Sequence, residues 1–248
     1  MSAVARAQLA GAEAIAAALD GGAPVRLLLV REGDLSASAR AVLARCHDTG
    51  IPVRRAGRRE TKRLAANGEP ELLALVGPPP GDALEPLLAS GGAVWLLTGV
   101  GYPGNAGFAI RTAEVSGAAG IAIDAGFDHA GRRQALRAAM RADRFFPVLW
   151  ARGQDVVDPA RRAGYRIFGV EDCGTRAPWH EDLTGPALFV VGGEAGGVPA
   201  GLLERCDVVL RIPMRGFVPS YNLQAAVAMV AGERLRQLGM RDEEARQP

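Results

Sequence analysis

Ile212-Pro213-Met214-Arg215-Gly216-Phe217-Val218-Pro219-Ser220-Tyr221-Asn222 is the stretch on which the reading of this chain turns. A strand, Val208–Ile212, ends at a proline, a loop follows, and Ser220 is a candidate N-cap for a long closing helix, Tyr221–Leu238. The plan repeats upstream in Val190-Val191-Gly192-Gly193-Glu194-Ala195-Gly196-Gly197-Val198-Pro199, where the buried strand Leu188–Val191 runs into a loop. That loop holds four glycines in six residues and one carboxylate. Glycines there let the backbone approach a ligand closely. Further upstream, Asn105 is a candidate N-cap for a helix over Ala106–Ser116, behind the strand Val94–Thr98. Arg111 follows on that helix, and Gly107, one turn before it, leaves room for its side chain to reach back toward the strand ends. The chain has only three Asn, at 67, 105 and 222, and two of them fall in these strand-end loops.

Around these segments, strands and helices alternate. After Val94–Thr98 come a strand Gly120–Ile123, a helix Arg132–Arg141, a strand Phe146–Leu149, a helix Val156–Ala163 and a strand Arg166–Val170. Continuous apolar strands alternating with helices imply an α/β fold with a parallel sheet covered on both faces. Ligands of such sheets bind at the carboxyl ends of the strands, here after Thr98, Asp124, Val191 and Ile212. The leading part is a separate unit over residues 1–76. It comprises an Ala-rich helix Ala5–Leu19, strands Val25–Val30, Pro52–Arg55 and Leu72–Val76, and helices Leu35–Asp48 and Glu60–Ala66, and it reads as a small α/β/α sandwich. Gly77-Pro78-Pro79-Pro80-Gly81 and Ser90-Gly91-Gly92 bracket a short helix, Ala83–Leu88, and mark a linker over residues 77–92. The second domain spans 93–240, and 241–248 is a frayed tail.

Composition narrows the function classes. At 248 residues, 48% hydrophobic and 23% charged, the chain is long enough for a sizeable core and too apolar for a disordered one. No apolar run approaches the roughly 20 residues of a membrane span. The first twenty residues carry Glu13 and Asp20 and do not read as a secretory signal, which points to the cytoplasm. Cys46, Cys173 and Cys206, like His47, His129 and His180, are scattered, so no metal site is expected. Net charge is only +2, but basic residues cluster in two stretches: Arg54, Arg55, Arg58, Arg59, Lys62 and Arg63, and then Arg132, Arg133, Arg137, Arg141 and Arg144. Such patches track phosphates, and both are candidate RNA contacts.

One competing motif is present. Gly99-Val100-Gly101-Tyr102-Pro103-Gly104 matches G-x-G-x-x-G after a strand, with Asp124 twenty residues on. That layout suits a Rossmann enzyme binding NAD(P) or another nucleotide. Pro103 argues against it, because it removes an N–H where pyrophosphate would need one.

Taken together, N-x-G-x-x-x-R from Asn105, G-x-E-x-x-G from Gly192 and I-P-M-x-G-x-x-x-S-x-N from Ile212 resemble the three signature motifs of the SpoU/TrmH family. These are S-adenosylmethionine-dependent RNA ribose 2′-O-methyltransferases of the SPOUT superfamily. The resemblance covers about residues 93–240, and the leading domain more loosely resembles an L30e-like substrate-binding domain. It implies a C-terminal trefoil knot, a rare feature in proteins. S-adenosylmethionine would be held by the backbone of Val191, Gly192, Gly193 and Glu194 and of Ile212, Pro213, Met214 and Gly216, with Ser220, Asn222 and Leu223 nearby. Arg111 would be the catalytic residue, with Asn105, Glu194, Ser220 and Asn222 shaping the site. A homodimer acting on RNA, rRNA before tRNA, is also implied, and a non-catalytic RNA-binding protein is a third reading. Three features depart from the family pattern. Gly193 replaces Asn, Tyr221 replaces Leu, and residues 67–71 read Asn-Gly-Glu-Pro-Glu where a His-Gln-Gly stretch is expected.

Overall fold

A computed structural model describes residues 7–65, 68–77, 83–218 and 220–244. Outside the described residues lie 5–6 of the expected first helix, Ala66, Asn67, 78–82 of the expected linker, Pro219, 245–248 of the tail, and the side chain of Arg63. The chain divides into two compact units, Met1–Pro79 and Pro80–Pro248.

In the first unit, β1 (Ala7–Ala10), β2 (Val25–Arg31), β3 (Val53–Ala56) and β4 (Leu72–Val76) form one sheet in the order β1-β4-β2-β3. β4 is antiparallel to both neighbours, whereas β2 and β3 are parallel. On one face, α1 (Ala12–Asp20) and α2 (Ala37–Asp48) place Ile15, Val42 and Cys46 against Leu28, Val30 and Leu72. Leu29 points the other way, as strand alternation requires, and clusters with Ala56, Leu73 and Ala65 at the end of α3 (Arg58–Leu64). The stretch expected as one helix, Ala5–Leu19, is instead a strand followed by a helix. Gly11, at φ +87°, breaks it, and Ala7–Ala10 pairs with Leu73–Val76. Alanine's helix preference is worth only tenths of a kcal/mol per residue, so an unpaired strand edge overrides it.

In the second unit, β5 (Ala93–Thr98), β6 (Gly120–Asp124), β7 (Val148–Trp150), β8 (Arg166–Val170), β9 (Ala187–Gly192) and β10 (Val208–Leu210) form a six-stranded parallel sheet. Its order is β10-β8-β9-β5-β6-β7. The helices are α4 (Leu84–Leu88), α5 (Pro103–Val115), α6 (His129–Ala138), α7 (Gly153–Arg162), α8 (Ala200–Leu203) and α9 (Leu223–Glu244). Every residue of β5 is buried, as a sheet covered on both faces demands. Trp95 and Leu97 face the α5, α6 and α9 layer with Ile110, Ala135 and Val227. Val94 and Leu96 face α4 and α7 with Leu88, Val156 and Ala160. The Trp95 ring stacks on Phe189 at 4.8 Å, and Phe189 stacks on Phe168 at 5.4 Å. Burying side chains of this size contributes about 2–3 kcal/mol each. α4 lies within the 77–92 span, and the Tyr165 hydroxyl donates to Leu88 O at 2.9 Å.

Several helix ends differ from expectation. α5 opens at Pro103, whose missing N–H costs nothing at the first helical position, so Asn105 sits inside the first turn rather than capping it. α6 begins earlier than Arg132, because Asp128 Oδ1 accepts from Gly131 N–H at 2.7 Å and caps it. It ends at Ala138, leaving Arg141 outside the helix at φ +59°. Gly107 packs α5 onto α6 instead of making room for Arg111: a Cβ there would overlap Ala135 O and lie 2.5 Å from the Ala138 Cβ.

Candidate active site

The sheet order reverses between β5 and β9, whose carboxyl ends, Thr98 and Gly192, lie side by side. Loops leaving a parallel sheet at such a switch point form its ligand crevice. Three loops meet here, and their hydrogen bonds converge on Glu194. Gly101 N–H donates to Glu194 Oε2 at 3.0 Å, and Asn105 Nδ2 donates to Glu194 Oε1 at 2.5 Å. Asn222 Nδ2 in turn donates to Asn105 Oδ1 at 3.3 Å. Burial raises the Glu194 carboxyl, but the bonds from Asn105, from Gly101 and from its own backbone N–H outweigh it. The carboxyl is therefore held below the ordinary carboxylate range.

The closing helix is capped by Asn222, and not by Ser220. Asn222 Oδ1 accepts from Gln224 N–H at 2.9 Å, and its carbonyl accepts from Ala226 N–H at 3.0 Å. Those are the two bonds of an N-cap position. Ser220 is thereby left exposed on the loop, where it faces a cavity.

That cavity, about 270 Å³, is walled by Val191, Gly192, Gly193 and Glu194 after β9, and by Ile212, Met214, Ser220, Asn222 and Leu223 after β10. Of the backbone expected to hold a cofactor, Pro213 and Gly216 do not line it. Pro213 O instead accepts from the Tyr221 hydroxyl at 3.1 Å, closing the loop. The space for Gly193 is explicit: a Cβ there would overlap Gly99 O, so the Asn found in the family pattern does not fit this backbone.

The lining also includes Val170, Glu171, Asp172, Gly197, Tyr221 and Ala226, which lie outside the residues expected at the cofactor site. Glu171 Oε2 accepts from Val198 N–H at 2.7 Å and so ties the glycine loop to the end of β8. The sequence does not show that this strand end lies beside the glycine loop, because only sheet order sets β8 next to β9. The Glu171-Asp172 pair at a strand end was the available signal.

Arg111 is not in the cavity of its own chain. It is exposed and borders a separate groove with Phe108, Thr112, Val115 and Gln224. The basic stretch of the first unit is also partly neutralised. Arg54 pairs with Glu60 at 2.8 Å, and Glu69 takes both Arg58 and Lys62. Among the described residues, Arg55 and Arg59 are exposed with no ion-pair partner. In the second stretch Arg141 pairs with Asp143 at 3.0 Å, and the Arg132 guanidinium lies 4.9 Å over the Trp150 ring. Arg133, Arg137 and Arg144 are exposed. No group of metal-binding side chains occurs among the described residues.

A parallel α/β sheet with a ligand-sized cavity walled by glycine-rich and proline-ended loops defines a nucleotide-cofactor class of domain. The chain belongs to the SpoU rRNA Methylase family, whose model matches residues 93–232, more than half of its length. It is 31% identical over 147 residues to the 23S rRNA (guanosine(2553)-2′-O)-methyltransferase RlmP of Bacillus subtilis, a match spanning 59% of each chain. It is 26% identical over 220 residues to the 23S rRNA (guanosine-2′-O-)-methyltransferase RlmB of Pseudomonas putida, covering 86% of this chain and 89% of that one. Among solved structures it is similar to the SpoU methyltransferase AviRb of Streptomyces viridochromogenes in complex with AdoMet. That likeness has a TM-score of 0.57 at 25% identity and covers 94% of this chain and 90% of the other.

Family membership overturns the Rossmann alternative, and the geometry agrees. Asp124 Oδ2 is engaged by Gly153 N–H at 2.7 Å, and Gly101 N–H is spent on Glu194. One N–H of the G-x-G-x-x-G turn and one oxygen of the acid after β6 are thus already engaged within the protein.

Proposed function

We propose that this chain uses S-adenosylmethionine to methylate a ribose 2′-hydroxyl in structured RNA, with rRNA as the substrate class and the cytoplasm as its compartment. The observation that carries this reading is the hydrogen-bond chain from Gly101 through Glu194 and Asn105 to Asn222, which links all three motifs beside one cavity. When bound, S-adenosylmethionine supplies a methyl group on a positively charged sulfur. The residues present suit it. Val170, Val191, Ile212, Leu223 and Ala226 offer apolar walls for a flat base, Gly192 and Gly193 bare their backbone, and Glu171 and Asp172 match positive charge.

Arg111 binds the phosphate beside the target ribose and stabilises the alkoxide that develops. A guanidinium stays protonated, so the 2′-hydroxyl proton passes to that phosphate or to water. Since Arg111 borders a groove outside its own cavity, this role calls for a homodimer in which it serves the partner's cavity. The exposed Phe108 and Val115 beside Arg111 support pairing through that face.

A trefoil knot in the second domain belongs to the same reading. It is supported by the path of β10, which bonds β8 on one side and, through Arg176, the segment joining β8 to β9 on the other. The leading unit, residues 1–76 ahead of a 77–92 linker, is read as an L30e-like RNA-binding domain. Exposed Arg55 and Arg59 on the first unit, and Arg133 and Arg137 on the second, are the phosphate contacts.

The test is transfer of tritiated methyl from S-adenosylmethionine to unmodified 23S rRNA and, in parallel, to tRNA. Activity on rRNA that leaves an alkali-resistant dinucleotide is expected, and labelled base instead of ribose would overturn the reading. Arg111→Lys should lose most turnover; near-normal turnover would refute the phosphate-clamping role.

A further inference from the structure

Two exposed aromatic side chains stand where the fold has no use for them. Tyr102 occupies the N-cap of α5, where Ser, Thr, Asp or Asn would accept a first-turn N–H. Its side chain makes no such bond and is 67% exposed. Its backbone is nonetheless fixed. Tyr102 O accepts from Asn105 N–H at 3.0 Å and Ala106 N–H at 3.3 Å, while the preceding Gly101 N–H is held by Glu194. The ring therefore projects from a rigid point one residue away from the Glu194 network. Phe217, fully exposed, lies on the loop between Met214 and Ser220, both of which wall the cavity. The Tyr221–Pro213 bond closes that loop. Asn105, in the first turn of the helix that Tyr102 precedes, touches Asn222, at the cap that ends the Phe217 loop, so the two ring-bearing segments are anchored to one contact.

We propose that Tyr102 and Phe217 stack on the nucleobase of the target nucleotide, holding it out of the RNA so that its ribose faces the cavity. This rests on the reading of the chain as an RNA methyltransferase. Single-stranded and looped RNA is held by stacking splayed bases on exposed aromatic rings, and each stack contributes enough to matter for affinity. A ring presents a π face and no base-edge code, so these residues govern presentation of the nucleotide and not the choice of base. The phenol hydroxyl of Tyr102 is dispensable on this account.

The experiment uses the full chain and a short RNA hairpin carrying 2-aminopurine in its loop, whose fluorescence falls on stacking. Methyl transfer to 23S rRNA is measured alongside. Wild type should quench the probe. Tyr102→Ala and Phe217→Ala should each lose most of the quenching and lower kcat/KM for rRNA by about tenfold to a hundredfold. S-adenosylhomocysteine affinity should stay within about twofold, and Tyr102→Phe should restore both readouts, which a merely structural role for the phenol would not allow. Absence of quenching by wild type, or quenching by both alanine variants equal to that of wild type, would overturn the stacking assignment. Quenching that depends on Tyr102, with no methyl transfer by any variant, would support the stack and overturn the enzymatic reading alone.

Discussion

Asn105 and Asn222, 117 positions apart, meet side chain to side chain at 3.3 Å, and the contact sets the direction of both amides. Asn105 turns its Nδ2 to Glu194, and Asn222 keeps its Oδ1 for the Gln224 N–H. The first, second and third motifs are thereby locked in one orientation by a single amide.

Asn105→Ala removes that link. A hydrogen bond to a charged group contributes about 1.5–3 kcal/mol, and Glu194 is exposed, so the lower end applies. We expect kcat/KM for methyl transfer to fall about tenfold and the thermal midpoint to fall by a few degrees. Steady-state kinetics with melting of the same samples checks this, and unaltered kinetics would sink the linking role.

Glu194 gives the site an acid limit. Its folded carboxyl titrates below the ordinary 4.5, so the unfolded chain takes up a proton first. Its stabilising contribution is complete above about pH 4.5 and is lost as pH falls through the lower folded value. The difference in melting temperature between wild type and Glu194→Gln should be flat from pH 7 to about 4.5 and shrink below that. A difference that vanishes already near pH 6 would contradict the assignment.

Gly107→Ala separates helix propensity from packing. Propensity alone would stabilise α5 by about 1 kcal/mol. The added methyl would instead collide with α6 at Ala135 and Ala138, and overpacking of this kind costs about 1–3 kcal/mol. The melting temperature should fall by several degrees; a rise would mean that the helices part freely.

For the first unit, reversing Arg55 and Arg59 should weaken RNA binding more than reversing Arg54 and Arg58, which are already paired with Glu60 and Glu69. The slope of log affinity against log salt should shrink by about 0.7–0.9 for each phosphate that the variant no longer neutralises. Equal effects of the two double variants, read by filter binding across salt, would show that the ion pairs open in the complex.

The sheet of the second unit was legible because β5 and β9 are unbroken apolar runs ending beside glycine. The three loop motifs were legible because Asn is so sparse elsewhere and because four glycines crowd around Glu194. Local signals failed where a near neighbour or a distant partner decides. Asn105 looks like a cap until Pro103 starts the helix two residues earlier, and Asn222 takes the cap that Ser220 seemed to own. The basic run at 54–63 looks bare until the chain turns back and brings Glu69 beside it. Glu171 could not be placed at the cavity, because only the strand order sets β8 next to β9.

Arg234 and Gln237 tie α9 to the segment before β9: Arg234 donates to Leu183 O and Gly185 O, and Gln237 Oε1 accepts from Leu183 N–H at 2.9 Å. The same helix carries Asn222 and Leu223 at its start. During synthesis the chain emerges from its N-terminal end, so a nascent polypeptide that has released β9 and the loop after it already owns Asn105, Glu194 and the walls at Val170–Asp172 and Val191–Gly193, but lacks the wall that follows β10. The cavity therefore stays open on the side of Ile212, Met214, Ser220, Asn222 and Leu223 until α9 has been made and has clasped that segment. The complete cavity is thus a late product of synthesis, finished by the last helix of the second unit and not by the strands that carry its first walls.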